Sequence, residues 1–226
     1  MKTTFFKLLV ITLTIALLSC KKENTFTDYK YADKPATISC KGVNSKLYKE
    51  ALYTFEDDIL NYYKKAKPNT SLVQAYSQLI RNAVYGRIKL EEIISTHTVA
   101  VFEALKKEDH LWDANSSTSH LNYNSIVIDC ISKNIQDKSL NTTFNALIST
   151  NSMSQKLFGA PLMSKFSRTS NDKYLATYIA LDLYYAKLFD VDLSKINFDK
   201  KEPLADFDVT LPEAEAKSDP HAGHNH

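Results

Sequence analysis

Three histidines sit together near the C-terminal limit of the sequence: His221, His224 and His226, in the spacing HxxHxH. Neutral imidazole suits Zn, Cu and Ni, and three imidazoles on a flexible segment can reach one ion. The spacing is too tight for a rigid preformed site, and nothing nearby fixes the tautomers. Two readings stay open: physiological metal handling, and a solubilising polar terminus that holds metal only weakly.

Cysteine offers a second kind of chemistry. Cys40 lies before the first expected helix and Cys130 within a later one. No CxxC or paired histidine spacing accompanies them, so a metal site or a catalytic thiol is disfavoured. In an oxidising compartment the expectation is a bridge between them, the alternative being two free thiols. A bridge closing a loop of about 90 residues is credited with about 4–5 kcal/mol by the chain-entropy model.

Carboxylates do not form a dimetal motif, which needs Glu-x-x-His pairs projecting from one helix face. Glu91 and Glu92 have no histidine at that spacing, and His97 comes too late. Asp57 and Asp58 read as a solvated helix edge. Asp182 lies among Leu175, Tyr178, Tyr185 and Phe189 and is expected to be partly buried with a tyrosine partner. There is no nucleophile elbow, phosphate-cradling glycine loop or zincin helix. His110, with Asp109 and Asp113 beside it and His120 further on, lies in the one loop long enough to carry function, though an ordinary exposed loop is the favoured reading. The chain has 13 tyrosines, several at helical positions; tyrosine packs its ring and keeps its hydroxyl polar, which suits helix seams and protein interfaces.

Lys2 and Lys7 precede a largely apolar run at residues 8–18, too short to span a bilayer as a helix and fitting the core of a signal peptide. The run ends in Leu17-Leu18-Ser19-Cys20. This resembles the bacterial lipobox, and Cys20-Lys21-Lys22-Glu23 is similar to the openings of Bacteroidota lipoproteins. The resemblance implies cleavage before Cys20, diacylglycerol on its thiol and a further acyl chain such as palmitate on its amine; several acyl chains together anchor stably. Lys21, rather than Asp, after the cysteine implies the outer membrane. Its periplasmic or cell-surface side stays open.

These residues must be positioned by helices. Residues 1–19 are the expected signal peptide, 20–40 a lipidated Cys and polar tether, 41–196 a helical domain, and 197–226 a flexible acidic and histidine-bearing tail. Leu47, Ala51, Phe55, Ile59 and Tyr62 recur at helical spacing. Leu72, Tyr76, Leu79, Ile80, Ala83 and Val84 do so on a second helix expected to reach residue 94. Shorter helices are expected from Thr96 or Thr98, from Asn124 or Ser125, and from Ser139. Phe158-Gly159-Ala160-Pro161 is expected to break the chain, and Asn171 or Asp172 to open a last helix to residue 189. Between Pro68 and Pro161 there is no other proline, and no strictly alternating strand pattern. The fold class is therefore all-α, a compact bundle of five to seven helices, with no 34-residue repeat.

Lys and Arg total 28 against 26 acids, and the signal segment removes Lys2 and Lys7, leaving a formally neutral mature chain. Nucleic-acid binding through phosphate attraction is thereby disfavoured. The reading that follows is an outer-membrane lipoprotein working by protein contact, as an accessory or scaffolding subunit of an envelope complex. The alternatives are metal delivery through the terminal histidines and an envelope enzyme of unknown reaction. Calorimetry with Zn, Cu and Ni tests the metal alternative: it predicts affinity well below millimolar that is lost on truncation after Asp219, and millimolar affinity for all three ions overturns it.

Overall fold

Helix α1, Ser45–Ala66, begins where the Asn44 side chain accepts from the Leu47 N–H, and ends with Lys64 and Lys65 at the negative pole of its dipole. Its buried residues include the expected Leu47, Ala51, Phe55 and Ile59, but also Glu50, Thr54, Glu56 and Asp58. The solvated-edge reading of Asp58 is thus corrected: other helices cover that side of α1 as well. The computed structural model describes residues 26–116 and 119–198. Cys20, the expected signal segment, and His221, His224 and His226 lie outside the described residues.

Helix α2, Leu72–Val84, opens with a reciprocal capping box between Ser71 and Gln74. It was expected to reach residue 94 and stops ten residues earlier. Gly86 takes φ +64°, the Arg87 N–H donates to the Asn82 carbonyl and the Gly86 N–H to that of Ala83. That pair of bonds terminates a helix around a left-handed glycine. One turn, α3 (Leu90–Ile93), follows, and then α4 (Thr96–Leu105), capped by Ser95 rather than by Thr96 or Thr98.

The stretch between α4 and the next helix is a loop, as its polar composition implies. Trp112 and Leu121 form an isolated antiparallel bridge, and the Trp112 indole donates to the Leu105 carbonyl at 2.8 Å. Ser125 caps α5 (Ile126–Asn134) and Asp137 caps α6 (Lys138–Ser149), two residues before the expected Ser139.

The expected break at 158–161 is instead the interior of α7, Gln155–Ser164. Phe158 and Leu162 are fully buried, so packing holds the helix although Pro161 cannot donate to the carbonyl four residues back. Gly159 is there for closeness: a Cβ on it would lie 2.3 Å from Val84 Cγ2 of α2. After the turn α8 (Phe166–Thr169), Asp172 caps α9 (Lys173–Leu183), of which every residue from Leu175 onward is buried. A helix apolar nearly all round belongs at a core, and α9 packs against α1, α5 and α8. The chain then tightens into 3-10 turns at Tyr185–Asp190 and Leu193–Lys195 instead of continuing α-helical to residue 189.

Among the described residues there are thus seven helices of nine residues or more and two single turns, with no strand. The architecture is an all-α bundle. One boundary moves. The expected tether, residues 20–40, is not free where it is described: Thr37 and Ile38 are buried, and residues 30–39 bond repeatedly to the bundle. Cys40 and Cys130 are joined by a disulfide, Cα atoms 6.0 Å apart, which ties the end of this strap to α5.

The Gly159–Val84 contact makes a specific prediction. Gly159→Ala is expected to destabilise the domain by about 1–3 kcal/mol through overpacking, and the same substitution in a Val84→Ala background to cost markedly less. Denaturant melts of the four proteins in the cycle check this; equal costs in both backgrounds refute it.

Candidate functional site

The chemistry-bearing side chains that the fold brings together are buried carboxylates on α1 and α9. Asp58 sits on α1 facing the start of α4. Its Oδ2 accepts from the Thr98 hydroxyl, the Tyr184 hydroxyl (2.6 Å), the Ser95 N–H (3.0 Å) and the Ser95 hydroxyl (3.3 Å). A carboxylate at the N-terminus of α4 is also favourably placed in that helix's dipole field. Burial nonetheless raises the Asp58 pKa, with these hydrogen bonds opposing the rise.

Asp182, on α9, is completely buried. Oδ1 accepts from Ser119 (2.6 Å) and Tyr123 (2.8 Å), and Oδ2 from Tyr178 (2.9 Å). Burial raises its pKa too, against the three hydroxyl donors. The expectation of one tyrosine partner is exceeded: two tyrosines and a serine close around it, and Ser119 and Tyr123 thereby fasten the long loop to the core helix. The Tyr123 and Tyr178 hydroxyls are in turn raised, chiefly by burial and then by the Asp182 charge.

Glu50 holds the strap. Its Oε1 accepts from the Lys30 N–H at 2.7 Å and its Oε2 from the Tyr31 N–H at 3.0 Å. His97 of α4 places Nε2 2.7 Å from Glu50 Oε1 and Nδ1 3.4 Å from Asp28 Oδ2. The rings of Phe26 and Tyr31 flank this imidazole. Glu56 completes the set, accepting from Tyr76 (3.0 Å) and Lys173 (2.8 Å). Each of these four carboxylates therefore has protein donors, so the arrangement joins elements; among the described residues no group of three His, Cys, Asp or Glu is disposed to hold a metal.

The loop histidines receive separate neighbours. His120 pairs with Asp190 at 3.0 Å and lies against Phe189. His110 adopts φ +59°, and its carbonyl accepts from the Asn122 side chain. Asp113 accepts from the Asn115 N–H.

The outer surface carries a groove of about 480 Å³ between α5 and α6, lined among others by Tyr123, Ile126, Ile128, Asn145 and Ile148. Ile126, on the first turn of α5, is 61% exposed. Tyr123 belongs to both regions: it lines the groove, and its hydroxyl donates to Asp182.

The buried role of Glu50 and Asp58 was missed from sequence although a signal exists: Glu50, Thr54 and Asp58 recur every four residues, a polar stripe running beside Leu47, Ala51, Phe55 and Ile59. No protein-family model, curated protein or solved structure matches the chain.

Raised carboxyl pKa values make a signed prediction. Folding favours the neutral form of Asp58 and Asp182, so their linked stabilisation is fully present below the ordinary carboxyl range and is lost as pH climbs through the raised values. Relative to Asp58→Asn or Asp182→Asn, which cannot titrate there, the native protein is expected to lose stability as pH rises from 4 to 8. Denaturant melts across that range check it, and a native advantage that grows with pH contradicts it.

Proposed function

We propose that the chain is a lipoprotein anchored in the bacterial outer membrane through Cys20, and that its helical domain acts by contact, as an accessory or scaffolding subunit of an envelope complex. The observation that carries the reading is the Cys40–Cys130 disulfide in a domain that follows the lipobox-like Leu17-Leu18-Ser19-Cys20. Disulfides persist in oxidising compartments beyond the cytosol, and the leader-like segment directs the chain to such a place. The membrane connection is assigned to the lipid on Cys20, from the lipobox-like spacing; among the described residues no helix is long and apolar enough to cross a bilayer.

The contact role draws on the α5–α6 groove. It brings together an exposed isoleucine, a tyrosine and amide and hydroxyl side chains, a mixed apolar and polar composition of the kind protein interfaces use. Tyr123 is pre-positioned by Asp182, so little side-chain ordering is left for a partner to impose. Metal delivery through His221, His224 and His226 is the second reading, resting on their spacing alone.

Extraction in mild detergent with an internal tag, leaving both termini untouched, tests the proposal. A stoichiometric envelope protein is expected to travel with the chain and to be lost on Ile126→Asp while the domain stays folded by circular dichroism. A chain that emerges as a lone monomer, or a partner indifferent to Ile126, overturns the contact role.

A further inference from the structure

The anchor reading has a geometric corollary in the strap, on which the following rests. Between Cys20 and Phe26, the first described residue, there are only the five residues Lys21 to Thr25. Whatever their conformation, that length spans at most about 20 Å. Were the strap free as far as Cys40, where the disulfide pins the chain to α5, the reach would be about 70 Å.

The strap is held along its length. Glu50 accepts the Lys30 and Tyr31 N–H groups, and Lys49 donates to the carbonyls of Ala32 (2.6 Å) and Lys34 (3.2 Å). Tyr53 donates to the Pro35 carbonyl, Tyr174 accepts from the Ser39 N–H, and Ile38 is buried in the core. Breaking such a series means exposing Ile38 and stripping donors from Glu50, which is fully buried, a costly step for a carboxylate. The short leash is therefore the one that applies.

The strap's first residues also have a fixed place. Phe26 meets Tyr29 edge-on at 5.0 Å and flanks His97, while Glu50 and Lys49, which grip the strap, lie in the N-terminal part of α1. The chain thus leaves the domain near the N-terminal end of α1, and the leash is shorter than that helix, whose 22 residues extend about 33 Å.

We propose that the lipid anchor holds this end of the domain, around Phe26, Tyr29 and the start of α1, against the phospholipid headgroup layer, and keeps the far end of α1 away from it. The occupant of this face is the membrane to which Cys20 is attached. Partner proteins then have access to the remaining faces, and a one-sided orientation substitutes for a long tether.

Full-length protein, produced with its own leader in a bacterial host that processes lipoproteins and mixed with phosphatidylethanolamine–phosphatidylglycerol vesicles bearing a headgroup acceptor dye, tests this. A donor fluorophore is placed by an unnatural amino acid at exposed Lys46, near the start of α1, or at exposed Asn69, just past its end. The expected result is about twofold greater transfer from position 46 than from 69, since roughly 30 Å of helix separates them. Inserting a twenty-residue Gly/Ser segment after Asn24 is expected to abolish the difference. Equal transfer from both positions in vesicle-bound, uninserted protein overturns the orientation while leaving the anchor intact. Protein that stays in the aqueous phase overturns the anchor reading, and the orientation with it.

Discussion

A carboxylate removed from water must be given donors or surrender its charge, and four such groups on α1 and α9 decide where much of this chain runs. Glu50 draws in the strap and His97, Asp58 fixes the start of α4, Asp182 collects the long loop, and Glu56 receives Tyr76 of α2 and Lys173 of α9. Apolar contact between α1, α2 and α9 supplies the bulk of the burial, as aromatic pairs such as Phe55–Tyr76 and Phe55–Tyr184 illustrate. Such contact is non-directional. The carboxylates supply direction, because each accepts only from particular hydroxyls and N–H groups in a particular register.

This also accounts for much of the tyrosine content. Tyr76, Tyr123, Tyr178 and Tyr184 bury or partly bury their rings and aim their hydroxyls at Glu56, Asp182, Asp182 and Asp58 respectively. A phenylalanine in any of these places would keep the packing and leave a carboxylate oxygen short of a donor. Burial holds the phenols well above their ordinary pKa, so they remain donors at any physiological pH.

Three helix starts were legible in the sequence. Ser71, Ser125 and Asp172 cap the elements whose apolar spacing announced them, because capping is settled within one turn of chain. What escaped was decided at a distance. Gly159 and Pro161 read locally as a break, and only the proximity of Val84, 75 residues earlier in the chain, makes a glycine within α7 useful. Asp58 reads as solvent-facing because charge usually is; its partner Tyr184, and the partners Tyr31 and His97 of Glu50, come from segments whose placement no local pattern announces. The strap reads as tether for the same reason: most of its polar side chains look outward while its backbone bonds inward.

The disulfide sets an order in time as well as a link in space. Polypeptides emerge N-terminus first, and Cys40 precedes its partner by 90 residues. During synthesis, Cys40 is therefore a thiol in waiting until α1 to α4 and the long loop have been made and α5 delivers Cys130. The covalent closure of the strap therefore waits for α5, and it seals an arrangement that the carboxylates of α1 are already able to hold.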